Sequence, residues 1–151
     1  MEKKVKVFID TDVFVIERRY KRDAKYRETT RFLEKAAKDE MIAYTSIYNL
    51  LEFCGILSFN LSSENTVMLY LGFTTKYNTT ILFPDEDAKL VCFNAKSILD
   101  LIKQKMSFGD ALVTSIVDKN KKIIDTFVTW NVEHFKDKLS IAVLNPSEVI
   151  S

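Results

Sequence analysis

Short apolar runs alternate along this chain with longer segments of helical periodicity. Five runs have the length and the β-branched or aromatic content of strands: VKVFI (5–9), MIAYT (41–45), TTILF (79–83), TFVT (126–129) and IAVL (141–144). Their side chains are apolar almost throughout, which is typical of strands buried on both faces of a parallel sheet. The pattern predicts an α/β sandwich around a mainly parallel sheet of about five strands.

The intervening segments repeat apolar residues at the spacing of an amphipathic helix. Five of them are predicted as helices: TTRFLEKAAKDE (29–40), SIYNLLEFCGIL (46–57), SENTVMLYLGFTTKY (63–77), EDAKLVCFNAKSILDLIKQK (86–105) and SFGDALVTSIVDKN (107–120). For most apolar side chains of segment 63–77 we expect core packing, the alternative being a docking surface for a partner helix or a second copy.

Length, charge and cysteine content exclude several classes of protein. With 151 residues, 47% of them hydrophobic, we expect a single domain over residues 1–151. The 22 basic and 21 acidic residues nearly balance, which excludes a uniformly basic nucleic-acid-binding surface. Cys54 and Cys92 lie in separate apolar segments and indicate neither a disulfide framework nor a thiolate metal site. Without a signal peptide or a membrane-length apolar run, we expect a soluble, cytoplasmic protein with no membrane contact.

Two carboxylates, Asp10 and Asp12, follow the first predicted strand directly. Like charges at the end of a buried strand require compensation by a cation, a basic side chain or a helix N-terminus. Asp10 occupies the carboxyl end of the strand, where open parallel sheets bind ligands. The alternative is that Asp12 or Thr11 only caps the next helix.

Three further oxygen-bearing side chains are candidates for the same site. Glu52 neighbours the apolar stripe of its predicted helix, although an ordinary exposed position is the alternative. Asp110 follows Ser107 at capping-box spacing, which places it in a first helical turn. Asn131 follows the strand TFVT, where it could cap a helix or offer its carbonyl oxygen to a metal.

Carboxylates gathered at one sheet edge would require a cation, and Mg²⁺ or Mn²⁺ prefers such oxygen ligands together with substrate phosphates. The single histidine, His134, excludes a His-rich zinc site, and we expect it to be a surface or packing residue. The sequence has no glycine-rich phosphate loop. The residues thus favour metal-assisted hydrolysis of a phosphate-bearing substrate.

Four segments, FIDTDVF, TSIYNLLEF, MSFGDALV and FVTWNVEHF, occur in the order and context seen in PIN-domain ribonucleases. The chain resembles this family over essentially its whole length, and its VapC-like toxin branch most. The resemblance implies a three-layer α/β/α sandwich, Mg²⁺- or Mn²⁺-dependent hydrolysis of RNA, an antitoxin protein as partner and a homodimer.

The resemblance also implies roles for individual residues. Asp10, Glu52 and Asp110 match the acidic positions of the family, and Asn131 stands where many members have another Asp. The metal would be held by Asp10, Asp110 and Asn131, with Glu52 completing the shell or orienting water. Asn131 removes one negative charge, so a second metal would need an oxygen from Asp12 or water.

A basic segment follows the acidic turn. Arg18, Arg19, Lys21 and Arg22 alternate with tyrosines, so they could bind RNA phosphates while the tyrosines stack on bases. The alternative is a solvated amphipathic helix.

Two other functions remain open at this stage. The Asp-x-Asp motif also resembles the nucleophile motif of haloacid-dehalogenase-type phosphatases, in which Asp10 would be phosphorylated and Asp12 would act as acid and base. A catalytically inactive PIN-like binding protein is the second, with Asn131 as the trace of the lost activity.

Overall fold

The five predicted strands form one parallel sheet in a computed structural model that describes residues 3–87 and 89–151. The strands are β1 (Lys6–Ile9), β2 (Ile42–Ser46), β3 (Thr79–Leu82), β4 (Thr126–Val128) and β5 (Ala142–Leu144). Their order across the sheet is β3-β2-β1-β4-β5. The prediction of a mainly parallel sheet of about five strands is therefore confirmed.

Helices connect the strands and cover both faces of the sheet. Over the described ranges they are α1 (Thr11–Arg19), α2 (Tyr26–Ala37), α3 (Ile47–Ser58), α4 (Ser63–Tyr77), α5 (Ala95–Ile102), α6 (Phe108–Lys119), α7 (Val132–Phe135) and α8 (Pro146–Ile150). Side chains of β1 alternate between two cores: Val7 and Ile9 pack with α1 to α4, and Phe8 packs with α6. This two-sided burial confirms the three-layer α/β/α sandwich.

Three predictions about helices differ from the structure. The helix predicted over 29–40 begins and ends three residues earlier, at Tyr26–Ala37. The segment 86–105 is helical only from Ala95, because Asn94 caps the helix by accepting a hydrogen bond from the Ser97 backbone N–H. Residues before Asn94 form irregular backbone, and Ala88 lies outside the described residues. The expectation of core packing for most of α4 is also wrong. Phe73 and Tyr77 are its only buried residues, whereas side chains such as Leu71 are exposed.

The centre of the sheet places three chain segments at one edge. β1 pairs with β2 on one side and with β4 on the other, so Asp10, Ser46 and Thr129 follow or end adjacent parallel strands. Polar side chains meet here at the carboxyl end of the sheet, where α/β folds bind ligands.

No helix in the described part of the chain is long and apolar enough to cross a membrane.

Candidate active site

Asp10 lies at the centre of a hydrogen-bond network. Its Oδ1 accepts hydrogen bonds from the Thr11 backbone N–H at 2.9 Å and from Asn49 Nδ2 at 3.3 Å. Its Oδ2 accepts one from Thr129 Oγ1 at 2.9 Å. Asp10 is also the N-cap of α1, so the alternative that Asp12 or Thr11 caps this helix is wrong. The carboxylate is thus fixed by groups from α1, α3 and the end of β4.

Asp12 ties the first turn of α1 to the end of β4. Its Oδ2 accepts hydrogen bonds from the Trp130 backbone N–H at 3.0 Å and from Thr129 Oγ1 at 3.3 Å. Its Oδ1 is buried and has no hydrogen-bond partner among the described residues. A buried carboxylate oxygen without a partner is costly, so this atom marks a place where a cation would stabilise the fold.

Burial makes both carboxyl groups reluctant to ionise, and neighbouring negative charges add to this effect at Asp10. Burial, followed by the charge of Asp12 and more weakly that of Asp110, raises the pKa of Asp10 to about 8 against the opposing hydrogen bonds. Burial also raises the pKa of Asp12 to about 6, although the Trp130 hydrogen bond and the charge of Lys25 oppose the shift. The site therefore lacks positive charge for the carboxylates it contains.

Asp110 lies in the first turn of α6, and its charge contributes to the raised pKa of Asp10. As the capping pattern predicts, Ser107 caps the helix by accepting a hydrogen bond from the Asp110 backbone N–H at 3.2 Å. The Asp110 carboxylate is partly exposed, and its Oδ2 lies 3.7 Å from Nδ1 of His134. His134 is a surface residue, as expected, but it lies beside a candidate site residue.

Glu52 lies near the same helix start. Its Oε2 is 3.7 Å from the point that a Cβ on Gly109 would occupy, so the carboxylate faces the first turn of α6. Glu52 is exposed, so the alternative of an ordinary exposed helix position is the one that the structure shows. An exposed side chain can turn toward Asp110 without breaking a buried contact.

Asn131 is exposed at the N-cap position of α7, after β4. Its side chain makes no capping hydrogen bond within the described chain, whereas its backbone N–H donates to Thr129 Oγ1 at 3.0 Å. The turn from Thr129 to Asn131 is therefore held by its backbone, and the amide side chain is not needed to start the helix.

The basic segment does not form the single amphipathic helix of the alternative interpretation. α1 ends at Arg19 and α2 begins at Tyr26, and the residues between them form an exposed loop. Arg18 and Arg19 lie at the end of α1 opposite Asp10, about 13 Å along a helix of this length. Lys21 and Arg22 follow in the loop, whose Lys25 ammonium lies 5.5 Å from the centre of the Trp130 ring.

Sequence reasoning missed two residues that organise the site, Asn49 and Thr129. Asn49 is buried and donates both to Asp10 and to Thr11 Oγ1, while Thr129 bonds both aspartates. Lys25 is the cation of the basic segment whose charge acts on Asp12. The only sequence signal for Asn49 is its capping-box spacing from Ser46, which by itself indicates no more than a helix start.

The acidic residues form a cluster but not a closed metal cage. Among the described residues, no three His, Cys, Asp or Glu side chains are arranged to enclose a metal ion. The side chains of Asp10, Asp12 and Asp110 offer only oxygen atoms as ligands, which suit Mg²⁺ or Mn²⁺. The unpartnered Asp12 oxygen and the raised pKa of Asp10 are the local features that such an ion would relieve.

Solved structures of bacterial VapC proteins share this fold. VapBC2 from Rickettsia felis, bound to a DNA fragment from its promoter, matches with a TM-score of 0.64 at 18% identity, covering 93% of this chain and 98% of that one. VapBC-1 from nontypeable Haemophilus influenzae matches with a TM-score of 0.63 at 12% identity, covering 95% of this chain and 99% of that one. This chain has the VapC fold. The PIN-like architecture that the sequence resemblance implies is thereby confirmed.

A third VapC-fold structure is Mycobacterium tuberculosis VapC20, a toxin that cleaves the sarcin-ricin loop. It matches with a TM-score of 0.59 at 13% identity, covering 88% of this chain and 95% of that chain. No protein-family model matches the sequence, and no curated protein matches it. The similarity of this chain to the VapC structures is therefore a similarity of fold.

Proposed function

We propose that this chain is a Mg²⁺- or Mn²⁺-dependent endoribonuclease and the toxin of a toxin–antitoxin pair. The observation that carries the proposal is Asp10 at the carboxyl end of a VapC-like sheet, fixed by three hydrogen bonds. Its pKa is raised by burial and then by the charges of Asp12 and Asp110. A site with excess negative charge and oxygen donors suits a divalent cation and a phosphodiester. The VapC20 neighbour, a loop-cleaving toxin, supports RNA as the substrate.

Asp10, Asp110 and Asn131 would hold the metal in this proposal. When bound, such an ion activates water and offsets charge on the scissile phosphate. Oδ2 of Asp12 accepts a hydrogen bond from the Trp130 backbone N–H, and its Oδ1 has no partner among the described residues. Asp12 is therefore the candidate for the negatively charged oxygen that the neutral amide of Asn131 does not provide. Glu52, exposed beside Gly109, would orient the attacking water.

The hydrogen bonds of Asp10 also favour this role over that of a phosphatase nucleophile. Both of its carboxylate oxygens accept hydrogen bonds from protein groups: Oδ1 from Thr11 and Asn49, and Oδ2 from Thr129. Hydrogen bonds to an attacking oxygen lower its nucleophilicity, so both oxygens are less suited to attack. A metal ligand can keep its hydrogen bonds, since ligating carboxylates are commonly bonded by surrounding residues.

Cleavage of end-labelled RNA tests this proposal. Single-stranded and structured RNAs would be incubated with Mg²⁺ or Mn²⁺ and wild-type protein, Asp10→Asn or Asp110→Asn. Asp118→Asn is a matched control, because Asp118 lies near the opposite end of α6 from Asp110. We expect cleavage by wild type and Asp118→Asn only, and its loss in EDTA. Equal cleavage by Asp10→Asn, metal binding with no cleavage of any RNA, or a trapped aspartyl-phosphate would contradict the proposal.

The exposed apolar face of α4 is the proposed binding site for the antitoxin. Val67, Met68 and Leu71 are 56%, 64% and 67% exposed, which is unusual for large apolar residues on one helix. Beside them, Arg18 and Lys76 border a groove with Phe73 at its base. An amphipathic helix with acidic flanks would fit this combination. The VapBC neighbours support such a partner.

Co-expression with the product of an adjacent small gene tests this surface. Leu71→Glu should abolish co-purification, whereas Leu99→Glu on α5, exposed to a similar degree, should not. Retained binding by Leu71→Glu would place the antitoxin elsewhere. From the resemblance we also propose a homodimer, which sedimentation equilibrium of the chain alone would detect as twice the monomer mass.

A further inference from the structure

Two exposed phenylalanines form a pair beside the acidic cluster. Phe93 and Phe108 are 50% and 52% exposed, and their ring centroids lie 5.5 Å apart in an edge-to-face arrangement. Phe108 is the first residue of α6, two residues before Asp110. The backbone before Phe93 is anchored, because Tyr48 on α3 donates its hydroxyl to the Cys92 carbonyl oxygen at 2.6 Å. The pair is thus held in place while its faces stay accessible.

Basic groups border the same helix start. The turn between α5 and α6 carries Lys103 and Lys105, both exposed. Lys138, after α7, donates through Nζ to the Lys105 carbonyl oxygen at 3.0 Å, which joins this turn to the α7 segment. His134 on that segment lies 3.7 Å from the Asp110 carboxylate. Lysines and a histidine from two segments therefore flank the site next to the aromatic pair.

We propose that Phe93 and Phe108 stack on a base of single-stranded RNA, while Lys105 and Lys138 contact the adjoining phosphates. This inference rests on the proposed nuclease function and names how its substrate is held. Exposed aromatic rings interleaved with basic side chains are the features that bind single strands, since every base has a face to stack and every nucleotide a phosphate.

Charge and position favour RNA over a second copy of the chain as the occupant. A second copy packed on the same surface would bring like-charged lysines together, whereas a polyanion would be attracted to them. Phe108 also lies two residues before Asp110 on α6, so a base stacked on the pair would lie near the acidic cluster. Arg18 and Arg19, by contrast, lie at the end of α1 that is far from Asp10.

Binding is measured in EDTA, so that it does not depend on catalysis. The probe is a fluorescein-labelled single-stranded RNA of about 12 nucleotides, and a second probe carries 2-aminopurine to report stacking. Variants are Phe93→Leu, Phe108→Leu, Lys105→Gln and Lys138→Gln. Phe59→Leu, at an exposed phenylalanine on the C-cap of α3, and Lys38→Gln, at an exposed lysine on the C-cap of α2, are controls. Circular dichroism verifies that each variant is folded.

We expect each leucine variant to weaken binding about 5-fold or more and to reduce the change in 2-aminopurine fluorescence on binding. The salt dependence of binding should stay the same in these variants. Each lysine variant should lower the slope of log K against log salt by about 1. The controls should bind as wild type does. The proposal is overturned if the controls lose as much affinity, or if wild type binds no RNA. It is also overturned if Phe108→Leu only dissociates a dimer.

The two proposals fail differently. Absence of cleavage with intact, variant-sensitive RNA binding would refute the nuclease and keep the binding site. Cleavage that Phe108→Leu and Lys105→Gln leave unchanged, together with unchanged binding, would refute this site and keep the nuclease.

Discussion

Replacing Asp10 by asparagine should stabilise the protein when no divalent metal is present. The pKa of Asp10 is raised from its ordinary value of 3.8 to about 8 by burial and by the charges of Asp12 and Asp110. The folded state therefore holds a proton on Asp10 at neutral pH that the unfolded state has already released. Stability is lost as pH rises from about 4 to about 8, because the folded chain binds more protons over that range.

The magnitude follows from the two pKa values. At pH 7 the difference from 3.8 corresponds to about 4 kcal/mol at about 1.4 kcal/mol per unit. Asparagine avoids this cost. Its NH₂ group cannot accept hydrogen bonds such as those that Thr11, Asn49 and Thr129 donate to Asp10, and this loss reduces the gain in stability by about 1–2 kcal/mol. We expect a net gain of about 2–3 kcal/mol, or about 5–10 °C in Tm for a domain of this size.

Urea denaturation in EDTA at several pH values between 4 and 8 measures the effect. The unfolding free energy of wild type should fall with pH over this range, and that of Asp10→Asn should fall less. Asp100→Asn, at an exposed position on α5, is the control and should behave as wild type does. Equal pH slopes for wild type and Asp10→Asn, or a less stable variant at pH 7, would refute the reasoning.

Three other substitutions test separate parts of the site. Thr129→Val removes the hydroxyl that donates to Asp10 at 2.9 Å, and should cost about 1–3 kcal/mol by denaturation while Thr129→Ser costs less. Ser107→Ala removes the N-cap of α6 and should cost about 1 kcal/mol, with Ser107→Thr near wild type; an unchanged midpoint would argue against the cap. Glu52→Gln should change stability by less than about 0.5 kcal/mol but slow RNA cleavage about 10–100-fold; full activity would remove Glu52 from the site.

The sheet could be predicted from sequence because its signal is local. Val7, Phe8 and Ile9 are consecutive apolar residues, and only burial on both faces of a sheet accommodates such a run. The start of α6 could be predicted for a similar reason, since the cap at Ser107 is set by its own neighbours. Asp10 could be singled out because a charge at the end of a buried strand requires a partner.

Other features depend on contacts that a sequence pattern does not contain. Asn49 and Thr129 are neutral polar residues of common type, and only the folded chain brings them to Asp10 from 39 and 119 positions away. The apolar spacing of α4 is the same whether the helix packs inside or stays exposed at Leu71. The distance of Arg18 from the site depends on the direction of α1, which starts at Asp10 and carries its basic end away.

Calorimetric titration of the protein with Mn²⁺ tests the central claim, that the acidic cluster takes a divalent cation. Titrations near pH 7 in buffers of different ionisation enthalpy count the protons released on binding. Because Asp10 is protonated in the folded state at this pH, its ligation must displace that proton. We predict saturable binding with release of about one proton per ion, both lost in Asp10→Asn and retained in Asp118→Asn. Binding that Asp10→Asn leaves unchanged, or that releases no proton, would contradict the account.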